Sequence, residues 1–214
     1  MKIFIDSADV NEIKEAAALG LADGVTTNPT LIAKSGVSLE KTIRAIASFV
    51  EGPVNAEVTS TKAPDIIAEG RRIAQWGKNV HVKIPIDHEG LVACRTLARE
   101  GIPSTLTLVF SPGQAILAAR AGAAWICPFV GRLDDISHDG IELIRTIAAI
   151  YDADTDSNTR ILAASVRTPV HVIESALAGA DAVTAPFPVL KQMMQHPLTE
   201  RGIRQFLEDA KKSR

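Results

Sequence analysis

Lys83 lies in the run His81-Val82-Lys83-Ile84-Pro85, an amine among β-branched residues that favour a buried strand, with a proline closing the run. Taking an ammonium out of water is costly and drives its pKa down, so an interior lysine is either paired or put to use. A deprotonated lysine attacks carbonyl carbon and forms Schiff bases. The plainer alternative is a strand-end lysine whose head group reaches water along its aliphatic stem. Two carboxylates, Asp6 in Phe4-Ile5-Asp6 and Glu57 in Ala56-Glu57-Val58, occupy other strand-like runs. Residues for other chemistries are sparse. His81, His88, His138, His171 and His196 lack metal-ligand spacing, which disfavours a metal-dependent aldolase and leaves no metal expected. No Walker loop and no strand-following Gly-x-Gly-x-x-Gly occurs, so no nucleotide cofactor is expected either. Two carboxylates would also suit a glycosidase, but that chemistry does not require the lysine.

The elements that must position these groups alternate. Strand-like runs fall at residues 2–6, 24–28, 54–59, 80–85, 104–110, 125–130, 160–165 and 181–186, with amphipathic stretches between them. Ser111-Pro112-Gly113-Gln114 carries an N-cap, a proline at the first helical position and a capping-box partner. Thr168-Pro169 repeats the cap and proline, while Gly122 and Gly179 follow helical stretches as left-handed C-caps. Eight strands alternating with eight helices imply an α/β fold, a (β/α)8 TIM barrel, with a doubly wound sheet as second choice. Residues 199–211 read as an additional C-terminal helix.

With 214 residues, 46% hydrophobic and 22% charged, residues 1–214 can bury one core as a single domain. A net charge of -2 without a Lys/Arg block argues against nucleic-acid partners. Only Cys94 and Cys127 are present, which fits a reducing compartment. The first six residues read as a strand rather than a signal peptide, and no apolar run reaches the length of a membrane span. A cytoplasmic protein without a membrane partner is the expectation.

Strand alternation places the chemistry. If Lys83 faces the barrel interior, Val80, Val82 and Ile84 face the helices, and the outward set is wholly apolar. By the same alternation Phe4, Asp6, Thr26, Asn28, Glu57, Thr105, Thr107, Cys127, Phe129 and Ser165 point inward, Arg167 beyond the strand shares their parity, and Leu106 and Leu108 point outward. Polar side chains thus collect towards the C-terminal strand ends, where barrels of this class build active sites.

The segments Phe4-Ile-Asp6-Ser-Ala-Asp9, Gly24-Val-Thr-Thr-Asn28-Pro, Ala56-Glu57-Val-Thr, Val82-Lys83-Ile-Pro85, Pro128-Phe-Val-Gly-Arg132-Leu-Asp-Asp135 and Leu162-Ala-Ala-Ser165-Val-Arg167 resemble the transaldolase family. The resemblance is to its short, single-domain, fructose-6-phosphate aldolase-like branch and runs over essentially the whole chain. It implies metal-free, class I aldol chemistry on sugar-phosphate substrates, and a homo-oligomer, pentamer or decamer. Carried over, it makes Lys83 the Schiff-base nucleophile and Asp6 the acceptor of the C4 hydroxyl proton. Glu57 would move protons through a water held with Thr107. Thr26 and Asn28 would hold donor hydroxyls, and Arg132, Ser165 and Arg167 the phosphate.

Each assignment has a plainer rival. Asp6 could cap the following helix, Glu57 and Lys83 could be a structural ion pair, and Arg132 or Arg167 could bridge Asp134 or Asp135. Thr26 and Thr107 are ordinary strand residues by propensity, and Phe129 is a core aromatic that could also wall the site. Two positions depart from the family pattern, and by the resemblance both bear on donor binding and hence on substrate preference. Cys127 stands where serine is usual in transaldolases and alanine in the aldolases, and Thr105 stands where transaldolases carry asparagine. Glu57 and Phe129 follow transaldolases, since the aldolase branch has glutamine and tyrosine there. A non-catalytic phosphate-binding barrel is the remaining alternative, opposed by three costly interior charges.

Overall fold

The computed structural model describes residues 1–154 and 157–212. Eight strands, β1 (Lys2–Asp6), β2 (Gly24–Thr26), β3 (Val54–Glu57), β4 (Val80–Pro85), β5 (Ser104–Val109), β6 (Trp125–Pro128), β7 (Arg160–Ala163) and β8 (Ala182–Ala185), run parallel in sequence order. β8 pairs back onto β1, so the sheet closes into a (β/α)8 barrel and the doubly wound alternative falls.

Eleven helices are present among the described residues: α1 (Val10–Ala18), α2 (Pro29–Ser35), α3 (Leu39–Ala47), α4 (Ala63–Ala74), α5 (His88–Arg99), α6 (Pro112–Ala121), α7 (Val130–Asp134), α8 (Gly140–Ala153), α9 (Pro169–Leu177), α10 (Phe187–Met194) and α11 (Pro197–Lys212). Besides the C-terminal helix, the sequence reading lacked α2 and α7. Both start where a strand was expected to continue. Asn28 turns into an N-cap, its Oδ1 accepting from Leu31 N–H, with Pro29 fixing φ in the first turn. Runs 24–28, 54–59, 125–130 and 160–165 each stop two residues short, at Thr26, Glu57, Pro128 and Ala163. The helix signals behave as read: Ser111 and Gln114 form a capping box, Thr168 caps α9, and Gly122 takes φ 87° after α6.

Between sheet and helices Ile5, Val25, Val54, Val82, Ile84 and Leu106 pack with helix residues such as Ile13, Ile43, Ile73 and Leu97. Burying side chains of this size contributes about 1.5–3 kcal/mol each before entropy is charged, so this layer is the main source of cohesion. Inside the barrel Phe4, Trp125, Cys127, Leu162, Ala164 and Ala182 form a second cluster, the Phe4 and Trp125 rings 5.4 Å apart.

The alternation fails at one expected position. The β5–β6 register shifts between Leu106 and Val109, and Leu108 sits at φ 61°. This bulge turns Leu108 from the helical layer into the barrel mouth. At the far end of the chain, α11 buries none of its residues and leaves Leu198, Ile203, Phe206 and Leu207 exposed. Among the described residues no helix is long and apolar enough to cross a membrane.

Candidate active site

A cavity of about 440 Å³ opens at the C-terminal ends of the strands. Lys83 lies in it, only 5% exposed, because β4 enters the barrel between β3 and β5. Its Nζ sits 3.0 Å from Glu57 Oε2 and donates to Thr27 O at 3.0 Å. The β3–β4 register pairs Glu57 with Lys83, so the contact follows directly from sheet alignment. A buried ammonium is tolerable when a carboxylate balances it, and at this distance that carboxylate also stands ready to take its proton.

Asp6 occupies the end of β1 and does not cap α1. Asp9 does, accepting from Asn11 and Glu12 N–H. Asp6 Oδ1 instead accepts from Thr26 Oγ1 at 2.7 Å. Because Thr26 spends its only hydroxyl proton there, Thr184 Oγ1, 2.6 Å away, is the donor to Thr26. Burial raises the Asp6 pKa, opposed by the Thr26 hydrogen bond and the Lys83 charge. A carboxylate so placed is suited to accept a proton during turnover.

Thr107 also lines the cavity, its buried Oγ1 without a protein partner. Cys127 lies in the same wall, and burial pushes its thiol to about 12, so it stays protonated. Phe129 closes one side, packed edge-on against Phe110 at 5.5 Å, with the Arg132 guanidinium over its ring at 4.9 Å. Arg132 thereby points into the cavity together with Ser165 and Asn28. Arg167 is placed differently. Its guanidinium grips Asp135 in a two-pronged ion pair, with one arm at 2.6 Å, and it lies outside the cavity lining. That pair holds the Asp135 carboxyl below its ordinary range, first through the Arg167 hydrogen bonds.

The sequence profile of the Transaldolase/Fructose-6-phosphate aldolase family matches residues 3–214. The chain belongs to this family. A Desulfatibacillum aliphaticivorans protein described as "Probable transaldolase" is 52% identical over the full length of both chains. A "Probable transaldolase" of Brachyspira hyodysenteriae is 56% identical, covering 98% of this chain and 97% of its own. Among solved structures, flavocytochrome b2 with sulfite bound shares the barrel with TM-score 0.65 at 13% identity. The match spans 88% of this chain but 57% of that one, a likeness of fold alone.

Among the groups of this transaldolase-family site that sequence reasoning did not single out are Thr184, Thr27 and Leu108. Thr184 was accessible to the alternation argument, since β8 places it beside Phe4 of β1. Thr27 acts through its carbonyl, which carries no side-chain signal. Leu108 was hidden by the bulge.

Proposed function

We propose that this enzyme is a transaldolase. It would move a three-carbon dihydroxyacetone unit from sedoheptulose 7-phosphate to glyceraldehyde 3-phosphate, giving erythrose 4-phosphate and fructose 6-phosphate in the pentose phosphate pathway. The observation that carries the reading is the buried Lys83 amine 3.0 Å from Glu57 Oε2, in a cavity that also presents Asp6. Glu57 takes a proton from Lys83, and the freed amine attacks the C2 carbonyl. Loss of water leaves an iminium that withdraws electrons as the C3–C4 bond breaks, while Asp6 accepts the C4 hydroxyl proton. The departing aldose phosphate leaves an enamine, which an incoming aldose then captures. Thr107, with its free buried hydroxyl, suits the role of holding a water beside Glu57. Arg132 and Ser165 offer the phosphate a guanidinium fork and a hydroxyl at the mouth. Arg167 would join them only by releasing Asp135.

Glu57 and Phe129 favour transfer over fructose-6-phosphate aldolase activity, in which free dihydroxyacetone leaves. Two free buried cysteines fit a cytoplasmic setting. The bare apolar side of α11 suits a homo-oligomer, a pentamer or decamer as the family resemblance implies.

Borohydride added with fructose 6-phosphate should fix a three-carbon unit on Lys83, seen by intact mass and peptide mapping. No adduct in the wild-type protein, or an equal adduct in Lys83→Met, would sink the mechanism. Release of glyceraldehyde 3-phosphate that depends on erythrose 4-phosphate marks the transferase. Rapid release without it, together with free dihydroxyacetone, marks the aldolase.

A further inference from the structure

Below the reacting groups, the barrel interior has two unlike halves. β1, β6, β7 and β8 fill theirs with Phe4, Trp125, Leu162 and Ala182. β3, β4 and β5 contribute Asn55, His81 and Thr105, each two residues before Glu57, Lys83 and Thr107 on the same strand face. Strand rise makes that step about 6.6 Å. Asn55 Oδ1, His81 Nδ1 and Thr105 Oγ1 are buried and have no protein hydrogen-bond partner, as is Thr107 Oγ1 above them. Branched apolar residues normally fill this space, and orphaned polar atoms in native interiors are generally satisfied by ordered water. At the lower end, His81 lines a second cavity of about 640 Å³, together with Lys2, Pro53 and Trp125. The three polar residues therefore stand between two cavities. A single water making two hydrogen bonds bridges about 5.5 Å, so a short file reaches from His81 to Thr107.

We propose that Asn55, His81 and Thr105 line a hydrated seam through the barrel floor, by which the water of the imine step passes between the N-terminal cavity and Lys83. The inference rests on the Schiff-base reading of Lys83. When the iminium forms from the Lys83 ammonium and the ketone, the C2–O bond breaks and a C2–N bond replaces it. One amine proton stays on nitrogen and two leave with the oxygen as water, and hydrolysis reverses every step. A bound sugar phosphate occupies the C-terminal mouth at these moments, and the seam provides passage from below. Burial depresses the His81 pKa to about 4, which keeps the ring neutral, both donor and acceptor, and able to pass a hydrogen bond onward without charge. None of the three lines the catalytic cavity, so their role is to position water.

The test uses fructose 6-phosphate in oxygen-18 water. Above the enzyme-free background of ketone hydration, label enters C2 only when the released water escapes and a bulk molecule hydrolyses the imine; a water that returns leaves no label. Label gained is divided by the rate of borohydride-trapped adduct in the same protein, so that a general loss of activity or folding cancels. Thr105→Val and His81→Phe should each lower this ratio several-fold, while Thr105→Ser keeps it at the wild-type value. A ratio unchanged in both Thr105→Val and His81→Phe overturns the seam, as does an equal fall in Thr105→Ser. Absence of any trapped adduct in the wild-type protein overturns the Schiff-base reading itself and is recognised separately.

Discussion

Asp6 depends on a hydroxyl relay, Thr184 to Thr26 to Asp6, that spans three strands. Replacing Asp6 with asparagine removes the base but keeps the shape, and kcat should fall by about 10²- to 10⁴-fold. Thr184→Val leaves Thr26 able to serve Asp6 but less firmly oriented, so steady-state kinetics should show a smaller drop in kcat with KM nearly unchanged. Equal losses in the two variants would contradict this division of labour. His81 affects stability through its proton. Its folded pKa of about 4 lies below the ordinary 6.5, so between these values the unfolded chain binds a proton that the native one refuses. Stability contributed by the neutral ring is complete above about pH 6.5 and is lost as pH falls towards 4, by at most about 3 kcal/mol. Urea unfolding across this window should slope upward with pH in the wild-type protein and more gently in His81→Gln.

At the scale of elements, α5 presses on the end of β4 through Gly90. A Cβ there would stand 2.1 Å from Pro85 O. Gly90→Ala should therefore cost about 1–3 kcal/mol and move the strand end that holds Lys83, detectable as a lower Tm together with slower adduct formation. A variant of wild-type stability and trapping rate would show that the helix yields freely. The same element explains what the sequence could tell. Alternation along His81-Val82-Lys83-Ile84 placed Lys83 inside because all its outward neighbours are apolar and the strand has no irregularity. Ser111 and Thr168 were legible as caps because their hydrogen bonds are local. Leu108 was not, since its bulge exists only in the pairing between β5 and β6, and a pairing is not visible in either strand alone. For Arg167 the sequence left two partners open for the same reason: Asp135 is distant in the chain, and the pairing between them is made by tertiary packing.

For the whole molecule, α11 presents the longest bare apolar side, with Leu198, Ile203, Phe206 and Leu207 exposed. Phe206 is 76% exposed on a helix that buries nothing, with Ile203 and Leu207 on the same side. α9 exposes Val170, Ile173 and Leu177 at similar spacing. Two different apolar surfaces on one chain suit the proposed association in a head-to-tail form, which gives a ring where its rotation closes. Phe206→Glu combined with Leu207→Glu should reduce the assembly to smaller species in sedimentation experiments, while leaving the circular dichroism of the barrel intact. A wild-type protein that sediments as a monomer would remove the basis of this expectation.

The threonine relay has one more consequence. Asp6 is near the beginning of the chain and Thr184 near its end, and they are brought together only by the pairing of β1 with β8. During synthesis the N-terminal strand emerges long before its last neighbour exists. A chain cut before β8 thus carries Lys83, Glu57 and the Asp6–Thr26 pair but lacks the Thr184 hydroxyl that completes the relay. On the proposed mechanism, the proton-accepting side of the site is completed only when the first and last strands meet.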